Sequence, residues 1–263
     1  MFTLEWKRQR ILDYVGKDYA RCLYLYIDFC VYGQGNNPNV TVYVDKDSDG
    51  TIHAVVLSYY TSLHIYSHSE NYFSDEIFSI IQRHEPTTIF AVAPIIRILA
   101  DHLPQYKKSI GTVGMITQKS GVKVEEHIIG LDSGMLPDVA DLLIDGQNYA
   151  NRYKGKQIFL SQLRERYSSG MGRHYAILDR DGSIIAHAAT YAEYENIAVA
   201  SGIYTVPSCR RKGYALQAYA ALCNDLTAEG KKVFAYYWSK HTADMHHKVG
   251  FYDVCEWGEL KKE

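Results

Sequence analysis

The chain has 263 residues, 47% hydrophobic and 22% charged, enough apolar material for one large or two small domains, each with its own core. A net charge of -2 leaves no basic excess, which argues against a nucleic-acid partner or an anionic membrane surface. No apolar run approaches the ~20 residues that cross a bilayer, the first residues lack the order of a signal peptide, and Cys22, Cys30, Cys209, Cys223 and Cys255 contain no CxxC pair. A soluble cytoplasmic protein with reduced thiols, no disulfide framework and no metal is therefore expected.

From the N-terminus, residues 4–31 alternate charged and apolar positions at helical spacing, with Ile11, Leu12, Val15, Leu23 and Phe29 as candidate core residues and Gly16 dividing two helices. Residues 33–38 read as a loop. Residues 40–44 and 52–57 then flank Asp45-Lys46-Asp47-Ser48-Asp49-Gly50 and predict a hairpin. That turn opens like a calcium-binding loop, but Val56 stands where a bidentate Glu is required and the flanks are strands, so it reads as a polar turn. A helix over 73–83, a strand over 87–92, a helix over 94–103 and a strand over 110–116 complete the first half, with Pro94 in a first helical turn where a missing N–H does no harm.

The acidic turn has an echo. Asp47-Ser48-Asp49-Gly50-Thr51-Ile52 returns as Asp179-Arg180-Asp181-Gly182-Ser183-Ile184, again between two strands, over 175–178 and 184–191. After each hairpin come strand, helix, strand and helix signals, so the chain reads as two copies of one α/β unit joined near 118–121. In the second copy a strand is expected over 124–129 and helices over 136–150 and 156–167. The first copy has neither Gly nor a basic cluster between its hairpin and its helix, at residues 66–72.

The second copy does. Residues 197–205 form a β-branched, aromatic strand that Pro207 stops, and Leu216, Tyr219, Ala220, Cys223 and Leu226 recur at helical spacing over 215–229. Between them lie Arg210, Arg211, Lys212, Gly213, Tyr214 and Ala215. A helix that starts there aims free N–H groups and the positive end of its dipole forward, Gly213 removes the Cβ, and three cations add charge, which together suit a pyrophosphate. By itself the stretch fits a solvated basic turn equally well. A strand over 232–238 and a short helix ending in Val249-Gly250-Phe251 follow.

Arg210-x-x-Gly213-x-Ala215, in this strand and helix context and with the closing Gly250-Phe251, resembles the pyrophosphate loop of the GNAT superfamily of N-acetyltransferases. The resemblance extends over about 122–260. It implies an α/β fold with a mixed sheet, GNAT-like and in tandem: residues 1–118 a degenerate copy without the phosphate loop, and 122–263 the acetyltransferase domain. It also implies acetyl-CoA as co-substrate, a pantetheine arm between two parallel strands that splay apart, and main-chain amides of Ile203, Tyr204, Thr205 and Val206 that polarise the thioester carbonyl. The family's Asn at the start of the last helix falls on Ser239, and its Tyr acid, four residues before the closing Gly, falls on His246. Both are departures. His246 is expected to serve as acid if its pKa lies near neutrality, with Tyr252 or Tyr237 as replacements. Glu193 and Glu195 flank Tyr194 and share a face if that stretch is extended, so one or both are candidate bases for the acceptor amine; as a solvated hairpin tip they would do nothing.

The reading is an acetyl-CoA-dependent N-acetyltransferase for a small amine or peptide. The alternative is an acyl-CoA-binding sensor or scaffold on the same fold, without turnover. A P-loop nucleotide site is disfavoured, because GxxxxGK[ST] is absent.

Overall fold

The two acidic turns that echo each other in sequence fold into the same hairpin. In the computed structural model, which describes residues 2–4, 7–33, 35–147 and 153–262, Thr51 N–H donates to Asp47 Oδ1 at 2.9 Å and Ser183 N–H donates to Asp179 Oδ1 at 2.9 Å. The closing glycines match as well, Gly50 at φ 91° and Gly182 at φ 83°. A short side-chain acceptor capturing a backbone donor is what makes Asp a turn residue, so the repeated DxDG encodes a repeated hairpin.

The chain divides into two compact units, residues 1–113 with 254–263, and residues 114–253. It passes from the first to the second within one strand and returns within the last. The final ten residues, assigned from sequence to the second domain, thus pack with the first unit.

In the first unit, strand β1 (Phe2–Leu4) precedes helices α1 (Arg8–Val15) and α2 (Leu23–Tyr32). Strands β2 (Val40–Lys46), β3 (Ile52–Tyr59) and β4 (Ser62–Tyr66) pair antiparallel in succession. Helix α3 (Glu76–His84), strand β5 (Thr88–Ala91), parallel to β4, and helix α4 (Ala93–His102) follow. Strand β6 (Tyr106–Ile116) leads out, and the last strand, β12 (Tyr252–Lys262), lies antiparallel to β5. Ile77, Ile80 and Ile81 of α3 and Ile95, Ile96 and Leu99 of α4 recur at helical spacing and close over β3, β4 and β5.

The second unit repeats this order. Strand β7 (Ile129–Gly130) precedes helices α5 (Leu136–Gln147) and α6 (Lys156–Ser168). Strands β8 (His174–Leu178), β9 (Ile184–Tyr194) and β10 (Ile197–Thr205) pair antiparallel in turn. Helix α7 (Tyr214–Ala228), strand β11 (Lys232–Tyr237), parallel to β10, and helix α8 (Lys240–Val249) complete it. The stripe predicted for α7 is its buried face: Tyr219, Leu222, Cys223 and Leu226 pack with Ala198, Ala200, Val233, Ala235, Val249 and Phe251.

Three sequence expectations need correction. The stretch 124–129 is strand only from Ile129, and Val124 is exposed. Leu4 belongs to β1 rather than to a helix, and the helical region 4–31 is α1, a short 3-10 turn (Tyr19–Arg21) and the start of α2. Strand β4, to which the sequence reading gives no bounds, completes the first copy. Residues 148–150 of the expected helix 136–150 lie outside the described residues.

Candidate active site

Strands β10 and β11 pair from Ile197↔Lys232 to Ala200↔Ala235 and then part. Beyond that point β10 is irregular. Against β9 its register shifts between Val199 and Ala200 and again between Ser201 and Tyr204, where Gly202 and Ile203 stand opposite Ala188 alone. An unmatched residue in one strand bends it and raises the local twist, which turns β10 away from β11. Gly202 has φ 62°. A Cβ on it would lie 2.7 Å from the Tyr191 hydroxyl and 3.3 Å from His187 Cε1, so both its backbone and its surroundings demand glycine.

The gap leaves one edge of β10 without a ladder partner. Backbone groups of successive residues in an antiparallel pair point to alternate sides. Val206 N–H donates to Ile185 O at 3.0 Å, so the Thr205 amide faces the gap and the Tyr204 amide faces β9. Val206 is thereby removed from the expected carbonyl-polarising amides, and Tyr204 contributes its ring instead, beneath the Arg210 guanidinium at 5.5 Å.

The loop follows at once. Pro207–Cys209 form one 3-10 turn, Arg211 takes φ 64° and Gly213 φ 80° as the residue before α7. Among the described residues, the amides of Arg211, Lys212, Gly213, Tyr214 and Ala215 reach no backbone or side-chain acceptor. Backbone turned alternately left- and right-handed presents successive N–H groups to a common point, an anion-binding concavity. A left-handed non-glycine residue such as Arg211 costs about 1–3 kcal/mol and persists only where its surroundings impose it. A Cβ on Gly213 would meet nothing within 4 Å. Arg210 donates through Nε to Thr205 O at 3.1 Å and lies 3.5 Å from Tyr204 Oη, so it braces the loop. Arg211 and Lys212 stand exposed at the helix start.

The expected catalytic residues fare differently. Glu193 is 5% exposed, held by Arg173 through Nε at 2.9 Å and Nη2 at 2.8 Å, by Thr190 Oγ1, and by Lys231 at 3.7 Å. Glu195 sits in the β9–β10 turn at φ 47°, exposed, with Lys231 Nζ on its carbonyl at 2.6 Å. The two therefore do not share a strand face. Glu193 is opposite Ala198, at the closed end of the β10/β11 pair, while the gap and the loop lie at the other end of β10. Neither candidate base therefore lies beside the loop.

His246 is 3% exposed. Its ring stacks on Tyr237 at 4.7 Å and lies against Tyr219 and Phe251, and its Nδ1 is 2.9 Å from Tyr219 Oη. Burial, aided by the neighbouring charge of His247, pushes its pKa down to about 4. The neutral-range pKa on which its role as acid depends is not met. Ser239 caps α8 in a reciprocal box with Thr242, and Tyr252, which begins β12, is half exposed.

Two groupings escaped the sequence reading. Tyr237, expected from sequence only as a replacement acid, is buried, and its Oη donates to Asp253 Oδ1, which also accepts from His247 Nε2 at 2.8 Å; His247 and Asp253 are half exposed, and the three meet at the end of β11. Beneath the β10 bulge, His187 Nδ1 lies 2.7 Å from Gly202 O and its Nε2 lies 3.0 Å from His174 Nδ1. A glycine inside a strand pattern signals a bulge, and Gly202 was the available clue.

In the first unit the turn between β4 and α3 is acidic, carrying Glu70 and Asp75 and no Gly, Lys or Arg. Tyr66, at the end of β4, is fully buried and donates to Asp18 Oδ2 at 2.7 Å. Among the described residues, no group of His, Cys, Asp and Glu is disposed to hold a metal, and no helix is long and apolar enough to cross a membrane.

A parallel strand pair that parts beside a turn of unused amides is an α/β arrangement with a concavity of anion-binding shape. Residues 143–252, within the second unit, match the family model described as the acetyltransferase (GNAT) family. Similar solved structures span the whole chain at low identity. A GCN5-related N-acetyltransferase from Sphaerobacter thermophilus is 14% identical, with a TM-score of 0.64, covering 100% of this chain and 95% of its own. A GCN5-related N-acetyltransferase-like protein from Streptococcus suis is 13% identical, with a TM-score of 0.62 and coverage of 97% and 98%. A tandem GNAT protein from the clavulanic acid biosynthesis pathway is 12% identical, with a TM-score of 0.56 and coverage of 99% and 97%. No curated protein matches. The chain thus has a tandem GNAT fold, and family and fold support acyl transfer.

Proposed function

We propose that the second unit transfers an acetyl group from acetyl-CoA to the amine of a small molecule or peptide, directly between the two bound partners. The observation that carries this reading is the gap beyond Ala200↔Ala235, which opens beside the free amides of residues 211–215. Those amides, with Arg211 and Lys212, suit the pyrophosphate. The unpaired edge of β10 offers the pantetheine amides ladder-like hydrogen bonds, and the Thr205 N–H points to the side where the thioester carbonyl would lie, where a fixed donor stabilises the charge that develops on oxygen.

Proton handling follows from what is exposed. Glu193 is committed to its ion pairs and Glu195 to a distant turn, so an acceptor amine at the gap loses its proton to water or to the Tyr237, His247 and Asp253 cluster. A thiol is a far stronger acid than an alcohol, with a pKa near ~8.5, so the departing CoA thiolate needs little help; Tyr252 or water supplies that proton. The first unit, whose corresponding turn is acidic, serves as scaffold in a cytoplasmic enzyme.

The second reading is a CoA-binding sensor without turnover. It is favoured by one observation, that the position of the family's acid carries a buried imidazole. Calorimetry with acetyl-CoA, followed by CoA-thiol release across polyamines, amino acids, aminoglycosides and peptides, separates the readings. Binding with turnover of any amine supports the enzyme, and binding without turnover supports the sensor. Absence of binding refutes both.

A further inference from the structure

The carbonyl of Gly202 cannot join a strand ladder in the ordinary way, because the residue is left-handed and lies in the bulge. A buried carbonyl left without a donor is costly. Its donor comes from the interior: His187, 0% exposed on β9, aims Nδ1 at Gly202 O from 2.7 Å. A carbonyl only accepts, so Nδ1 of His187 carries the proton. Nε2 of the neutral ring is then a bare lone pair, and it faces Nδ1 of His174, 2% exposed on β8, at 3.0 Å. His174 must therefore also hold its proton on Nδ1. The chain runs one way, from His174 through His187 to Gly202, and each link fixes the tautomer of the next. Tyr191, the unmatched residue of β9 at the first register shift, rests its hydroxyl against Gly202 from the same side.

We propose that His187, oriented by His174, is a positioning residue for acyl-CoA: it holds the Gly202 bulge that keeps β10 apart from β11 and directs the Thr205 amide into the gap. The inference rests on the acyl-CoA reading of that gap. The pair touches no ligand and acts only through the backbone of β10. Burial keeps both rings neutral, His187 down to about 4 and His174 well below the usual range, so the assigned tautomers persist at neutral pH.

The test measures acetyl-CoA affinity by calorimetry, with folding checked by circular dichroism, in the full-length protein. His187→Leu removes the donor and is expected to weaken acetyl-CoA by about tenfold, the effect of losing one hydrogen bond to a buried acceptor. His187→Asn places an amide N–H where Nδ1 stood and is expected to recover most of that loss. Long-range nitrogen-proton NMR of the wild type is expected to show both histidines protonated on Nδ1, a readout that does not depend on any variant folding. Equal affinities for wild type and His187→Leu overturn the proposal, as does His187→Asn behaving like His187→Leu, or a proton found on Nε2 of His187. If the wild type itself does not bind acetyl-CoA, the acyl-CoA reading fails and this proposal falls with it, an outcome distinct from the others.

Discussion

Tyr219 Oη and His246 Nδ1 meet at 2.9 Å inside the second unit, where Tyr219 is 0% and His246 3% exposed. Each satisfies a polar atom that the other would leave stranded, since burial raises the phenol pKa far above and lowers the imidazole pKa below its usual range.

His246→Phe keeps the stack on Tyr237 and strands the Tyr219 hydroxyl, a loss of about 1–3 kcal/mol. Adding Tyr219→Phe is expected to restore most of it, because no polar atom is then left unpaired. Urea denaturation of the four proteins in the cycle measures the coupling. Turnover per folded molecule is expected to stay within about threefold; a drop of ~100-fold, the scale of a lost general acid, would return His246 to the chemistry.

At the loop, charge and backbone shape are separable. Arg211→Glu is expected to weaken acetyl-CoA about tenfold or more, by setting a negative charge against the pyrophosphate, with little change in melting temperature because Arg211 is exposed. Arg210→Glu is expected to lower both, since Arg210 also braces Thr205 and Tyr204. Gly213→Ala meets open space and so carries only the left-handed strain of about 1–2 kcal/mol. Calorimetry beside thermal melts distinguishes the three.

Glu193→Gln is expected to cost stability rather than chemistry. It removes a buried carboxylate's charge from its pair with Arg173, a change of about 1–3 kcal/mol because the part-exposed Arg173 keeps Glu229 as a partner, while leaving the gap end of β10 untouched. A folded Glu193→Gln protein with a rate lowered ~100-fold and unchanged stability would restore Glu193 as base.

Stability should fall with acid through the buried histidines. His187 and His246 both titrate near about 4 in the folded chain and near ~6.5 when unfolded. Between those values the unfolded chain binds more protons, so folding stability is full above ~6.5, declines as pH falls, and levels off below about 4. Denaturant midpoints at pH 7.5, 5.5 and 4.5 test this, and His187→Asn is expected to flatten the decline. Constant midpoints would mean that the rings are solvated or paired with a charge.

Sequence alone reached the architecture because it is written in local signals. The repeated DxDG fixes two hairpins through side-chain to backbone bonds a few residues long. β10 begins and ends where its composition and Pro207 set it, and α7 is within a residue of its predicted bounds. The loop was legible for the same reason, since Arg210 to Ala215 are contiguous. What tertiary structure decided was which side chains are free to act. Glu193 reads as a strand-borne carboxylate until Arg173 and Lys231 close on it from elsewhere in the chain, and His246 reads as a titratable acid until Tyr219, Tyr237 and Phe251 bury it. The His174, His187 and Gly202 chain spans three strands and has no local signature beyond one glycine. Burial and pairing arise between residues distant in sequence, and they, rather than residue type, set a group's charge and reach.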